Sequence, residues 1–148
     1  MSAEGTYALL LRLDAPRTVV VGALGALDFP FGWYLYLGSA HGPGGLAARL
    51  ARHRRRADKR FHWHIDYLRA ATTLVEVWTS SGAARQECDW AAAAAALPGA
   101  DVIAPRLGAS DCQCPSHLFH YTRRPERSDF EPLIRTELEQ ERVPVKTW

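Results

Sequence analysis

Apolar residues run almost unbroken through positions 5–13, where Tyr7, Leu9, Leu11 and Leu13 alternate with Thr6, Ala8, Leu10 and Arg12. That pattern predicts a strand covered on both faces. Asp14-Ala15-Pro16 signals a turn, and the β-branched run 18–21 leads into a loop or wide hairpin over residues 22–32. Residues 33–39, rich in aromatics and leucine, predict a second strand. After the punctuation His41-Gly42-Pro43-Gly44-Gly45, Leu46, Leu50 and Ala57 fall at helical spacing, so a helix is expected over 46–57. A short helix is expected over 64–71, then a strand over 72–79 ended by Ser80-Ser81-Gly82. Residues 84–97 hold six consecutive alanines, the best helix formers, and predict a helix with a packed small-residue face; Pro98-Gly99 stops it. Beyond Asp101 the signals thin to a strand over 118–121 and a C-terminal helical stripe of Phe130, Leu133, Ile134 and Leu138. The order strand, strand, helix, strand, helix implies an α/β (α+β) fold with a small, mainly antiparallel sheet of about three core strands flanked by helices.

The length of 148 residues suits one domain, which buries enough surface to need no staples. The longest apolar run, 19–27, is broken by Gly22 and Gly25 and falls far short of a membrane span. The N-terminus lacks a basic segment followed by an apolar stretch, and three cysteines make no closed disulfide framework. A cytoplasmic, reduced protein without a membrane partner is therefore expected.

Charge changes the picture. The net charge is only +2, yet Arg49, Arg52, Arg54, Arg55, Arg56, Lys59 and Arg60 crowd into twelve positions against the single acid Asp58. Residues 126–141 reverse the balance, with six acids against Arg127 and Arg135. A basic face on a near-neutral protein points to a polyanion, and the same run also fits a solvated helix surface.

On the expected first helix, Arg49 and His53 stand four residues apart and so share a face beside the Leu46–Leu50 stripe. A cation aimed into a groove beside a titratable imidazole suits a phosphate. Arg52, Arg55 and Arg56 point further out, and with Lys59 and Arg60 they are the candidate nucleic-acid contacts. A second constellation is Cys112-x-Cys114-x-x-His117, which could hold zinc with His62, His64 or Cys88 as a fourth ligand. On a strand His62 and His64 would share a face; on a helix they would not. Residues 42–45 lack the spacing and the lysine of a phosphate-binding loop. Trp63, Trp78 and Trp90 suit a core, although Trp63 beside the basic run also suits a nucleobase.

Gly5-Thr6-Tyr7 and Tyr36-Leu37-Gly38, followed by Arg49, His53 and Glu87, resemble the GIY-YIG nuclease superfamily. The wider stretches 34–40, 49–53, 62–68, Glu87-Cys88 and 110–119 look like a prokaryotic family of uncharacterised GIY-YIG-related proteins, in some members fused to a DNA-repair endonuclease. The resemblance spans residues 4–121. It implies a GIY-YIG-like domain over 1–124 with an inserted hairpin or loop at 17–32, and a helical extension of that domain over 125–148. It also implies metal-dependent hydrolysis of DNA phosphodiester bonds, RNA being a further candidate substrate. By that resemblance Glu87 would hold Mg²⁺ or Mn²⁺, and Arg49 would neutralise charge on the phosphate. Tyr7 or Tyr36 would take the proton from water, a role that calls for Arg49 or the metal to favour the phenolate. His53 would relay that proton or hold the tyrosine. The late asparagine of these nucleases has no counterpart, because the chain contains none; Ser110 or Asp111 is the nearest substitute. Two other functions fit the residues: a non-catalytic nucleic-acid-binding module of the same fold, and a zinc- or thiol-dependent protein using Cys112, Cys114 and His117.

Overall fold

A computed structural model describes residues 3–56, 59–109 and 112–143. Nine-residue strands β1 (Gly5–Leu13) and β4 (Gly32–Ala40) pair antiparallel, with Tyr7 opposite Gly38 and Leu9 opposite Tyr36. Between them β2 (Arg17–Val20) and β3 (Ala26–Phe29) form a separate two-stranded hairpin, so the inserted segment is a hairpin rather than a loop. The chain continues through α1 (Gly45–Arg54), α2 (His64–Ala71), β5 (Thr73–Ser81), α3 (Glu87–Ala96), β6 (Leu118–Tyr121), α4 (Arg127–Ile134) and β7 (Glu139–Arg142). The main sheet has the order β6-β4-β1-β5-β7, every neighbouring pair antiparallel. The three expected core strands are its centre, and one short strand extends it on each side, β6 next to β4 and β7 next to β5.

Alternation along β1 divides the core in two. Tyr7, Leu9, Leu11 and Leu13 face Leu46 and Leu50 of α1 and Ile65 and Leu68 of α2. Ala8 and Leu10 face the opposite way, toward Trp90, Ala91 and Ala94 of α3 and Phe130 of α4. The alanine run is thus a packed face, as its composition suggests: small side chains let α3 lie close on the sheet. Phe130 is fully buried, with its ring 5.4 Å from that of Trp78 and 5.6 Å from that of Trp90.

Several boundaries differ from those expected. The first helix ends at Arg54, and Arg55 is already extended. The buried Arg69 guanidinium donates to the carbonyls of His53 and Arg54 and so satisfies the helix end. Ala57, the last expected helical position, lies outside the described residues. Helix α3 begins at Glu87 rather than 84, because the Gln86 amide is turned to Thr6 Oγ1 on β1 while its side chain accepts from the Trp90 indole. The C-terminal helix stops before Leu138: Arg135 takes a left-handed conformation with φ 54°. The chain then adds β7 to the sheet edge, where Gln140 and Arg124 hydrogen-bond the buried Glu76 carboxylate. Among the described residues no helix is long and apolar enough to cross a membrane.

Candidate functional site

Two glycines let the strands and α1 close on one another. A Cβ on Gly38 would stand 2.5 Å from the Tyr7 hydroxyl, and one on Gly5 would stand 2.6 Å from a Leu46 methyl. The glycines of both short motifs are therefore required by the close approach of Tyr7 and of α1. With that space open, Tyr7 Oη lies 2.7 Å from Nε2 of the buried His53. The Tyr36 ring is 6.4 Å from Tyr7 and 6.1 Å from His53, and Trp63 closes the cluster 6.0 Å from His53.

Burial dominates the protonation of this cluster. The Tyr7 phenol is pushed well above its ordinary range, first by desolvation and then by Tyr36, while Arg49 opposes the shift. Tyr36 is pushed up to about 12, again by desolvation, with Arg49 opposing. His53 is lowered to about 3 by desolvation, with the Lys59 charge adding and Asp66 opposing. The resting state is thus two neutral phenols around a neutral imidazole. Arg49 pulls the tyrosines in the direction the resemblance calls for, but desolvation outweighs it.

Arg49 spans the mouth of this cluster. It donates from Nη1 to the Ser39 carbonyl at 2.8 Å and lies over the Trp63 ring at 4.4 Å. The rest of the basic run is only partly available to a polyanion. Arg52 also stacks on Trp63, at 4.8 Å, and pairs with Asp66 at 2.5 Å. Lys59, expected on the surface, is turned inward: its side chain is 2% exposed and sits 3.4 Å from Asp66. Arg54 pairs with Glu141 of β7, and Arg56 donates to the Ala70 carbonyl. Arg55 and Arg60 are exposed.

Asp66, not singled out from the sequence, supports the cleft from behind. Its carboxylate is fully buried and accepts from the His62 and Trp63 amides at 2.8 and 2.9 Å. Burial alone would raise its pKa, but those amides and Arg52 hold it below the usual carboxylate range. It therefore anchors the start of α2, which carries Trp63 and His64 to the cleft. The legible signal was an acid three residues into the expected helix, where a carboxylate meets unpaired amides.

Tyr7, Tyr36, Arg49, Trp63 and Glu87 line one cleft of about 550 Å³, along with His62, His64, Arg106, Cys112 and His117. The loop and helix start at His62 and His64 make the shared-face question moot, since neither lies on a strand. Glu87 stands in the first turn of α3, and its Oε2 is buried with no hydrogen-bond partner among the described residues. An orphaned carboxylate oxygen facing a polar cleft suits a hard divalent cation, whose other ligands would be water and a substrate oxygen. Ser110 and Asp111, considered for the missing asparagine, lie outside the described residues.

On the neighbouring wall, Cys88, Cys112, Cys114 and His117 bring one ligand atom each to within 4.8 Å of one another. Cys88, the residue after Glu87, completes the set; His62 and His64 do not belong to it. Cys112 Sγ lies 3.4 Å and Cys88 Sγ 3.9 Å from His117 Nε2. Cys88 is pushed up to about 12, chiefly by its hydrogen bond with Cys114 and then by desolvation. Burial lowers His117, so its imidazole is neutral and able to ligate. Three thiols and an imidazole form a donor set more typical of zinc than of Mg²⁺ or Mn²⁺.

The fold and cleft define an α+β protein with a polar, metal-competent site beside the inner strands β1 and β4 of a helix-covered antiparallel sheet. The family model for a domain of unknown function, DUF123, matches residues 6–138, and the chain belongs to that family. No curated protein and no solved structure matches it significantly.

Proposed function

We propose that the cleft is a GIY-YIG-type phosphodiesterase site and that the protein is a metal-dependent endonuclease acting on DNA. The observation that carries this reading is the convergence of Tyr7, Tyr36, Arg49 and Glu87 on one cleft, with Tyr7 hydrogen-bonded to His53. These residues come from four separate elements; Tyr7 and Tyr36 also belong to the buried core, but core packing does not call for a guanidinium and a carboxylate oxygen without a hydrogen-bond partner at the same opening.

In this reading Tyr7 Oη accepts the proton of the attacking water while its own proton passes to His53 Nε2. His53 Nε2 is the acceptor within reach of Tyr7 Oη, at 2.7 Å, and because burial disfavours its charged form the bound phosphate must supply the negative charge that offsets the imidazolium. The water oxygen bonds to phosphorus as the P–O bond to the leaving oxygen breaks. Arg49, held by Ser39 and Trp63, lies ready to neutralise charge on the phosphate oxygens. Glu87 would hold Mg²⁺ or Mn²⁺, which supplies Lewis-acid stabilisation of that charge. Arg55 and Arg60, both exposed, would pair with backbone phosphates of the bound nucleic acid.

The test is conversion of supercoiled plasmid to open circles with Mg²⁺ or Mn²⁺. Wild-type protein nicks, and Glu87→Ala and Arg49→Ala each lose at least about 10²-fold in rate. Wild-type-level nicking by both variants overturns the site. Salt-sensitive DNA binding without cleavage under either metal would favour the non-catalytic binding module instead.

A further inference from the structure

We propose that Cys88, Cys112, Cys114 and His117 form a closed, structural zinc site that builds one wall of the cleft and fixes the first turn of α3. A tetrahedral zinc with bonds of about 2.3 Å to sulfur and 2.0–2.1 Å to nitrogen sets its ligand atoms about 3.5–3.8 Å apart. The Sγ–Nε2 separations of 3.4 and 3.9 Å bracket that geometry, and the full set lies within 4.8 Å. Small side-chain rotations suffice to close it. Four protein ligands leave no open position, so the ion holds structure rather than activating water.

The surroundings are built for the site. The Arg106 guanidinium donates to the carbonyls of Cys112 and Cys114 at 2.5 and 2.6 Å, which folds the tight Cys-x-Cys turn so that both thiols face one way. Arg106 itself adopts a left-handed backbone with φ 66°, a conformation costly for a non-glycine residue. Three thiolates around Zn²⁺ carry a net charge of −1, which the same guanidinium offsets. His117 is fixed from both sides of its backbone: its amide donates to Leu107, and its carbonyl accepts from Leu37 of β4. Its Nε2 is turned to the thiols of Cys88 and Cys112, as a metal-ligating histidine requires.

Binding releases up to three thiol protons to solvent and changes no oxidation state. It ties α3 at Cys88 to the loop 112–117, and so holds the adjacent Glu87 against the cleft. The effect on nicking rests on the phosphodiesterase reading above; the zinc content does not.

The experiment is elemental analysis of full-length protein purified without chelator, followed by replacement of the metal with Co²⁺. One zinc per chain is expected, with a tetrahedral thiolate–cobalt absorption after exchange. A Cys112→Ser, Cys114→Ser double variant falls below about a tenth of that content, whereas Cys88→His, which keeps four ligands, retains zinc. Should the serine variant fail to fold, cobalt exchange into wild type still decides the matter. Absence of stoichiometric zinc together with no thiolate–cobalt band overturns the inference, even if plasmid is nicked. Zinc present without nicking upholds the site and overturns the nuclease reading.

Discussion

The two faces of the sheet are built from the same strands and have opposite characters. Toward α1 and α2, β1 and β4 present Tyr7 and Tyr36, and the helices answer with buried His53, Asp66 and Arg69. Toward α3 and α4 they present Ala8, Leu10, Leu35 and Leu37, met by Trp90, alanines and Phe130. The polar groups of the first face are held by hydrogen bonds, an ion pair and ring contacts, while the second is held mainly by shape and apolar burial, its buried charge being Glu76, bonded by Trp78, Gln140 and Arg124. Polar groups are costly to bury, so Tyr7, His53, Asp66 and Arg69 draw on the stability of the fold, as the proposed site requires. Glu87 is the member of the five-residue candidate set that the supporting side contributes, and it does so only from the first turn of α3.

The sharpest way to break this contrast is to remove one oxygen from the polar face. Tyr7→Phe keeps the ring and its packing but loses the hydroxyl next to His53. It is expected to lower plasmid nicking by about 10²- to 10⁴-fold with little change in thermal midpoint. The reciprocal change is Phe130→Ala on the apolar face. That truncation costs about 3–5 kcal/mol in denaturant unfolding, and nicking per folded molecule stays at the wild-type level. Gly38→Ala tests the seam between strands and site. Its methyl would press on the Tyr7 hydroxyl and ring, at a cost of about 1–3 kcal/mol, with nicking reduced more than stability predicts.

A further effect is pH-dependent. His53 titrates near 3 in the folded protein, below its ordinary value of 6.5, so the unfolded chain binds the proton first. Its contribution is fully present above pH 6.5 and falls away as the pH drops from there toward 3, by at most about 1.4 kcal/mol per unit. Urea titrations between pH 7 and 4 check this: His53→Gln flattens the acid-side loss.

Much of the framework was legible because it is apolar and periodic. The bounds of β1 and α2 match those expected, since alternation and turn signals mark both. Strand β7 was not, because Glu-Gln-Glu-Arg is exposed throughout and has no apolar side; it is held by partners on β5 that only the fold supplies. In the cleft, the Arg49–His53 spacing could be read from helix geometry. The inward turn of Lys59 could not, since its cause is the buried Asp66 across a loop. Likewise Cys88 could be named only as one of three options, because its meeting with Cys112 depends on how the loop after residue 100 packs against α3. Arg106 carried no signal at all: its role lies in a backbone conformation and two carbonyl contacts.

In the proposed mechanism the polar face performs phosphodiester hydrolysis and the apolar face only supports it. The most direct test is Mn²⁺-dependent nicking of supercoiled plasmid by wild type, Tyr7→Phe, Glu87→Ala and Phe130→Leu, each confirmed as folded. Wild type and Phe130→Leu are expected to give open circles at similar rates, while Tyr7→Phe and Glu87→Ala leave the plasmid supercoiled. Equal nicking by all four, or none by any, would contradict the account.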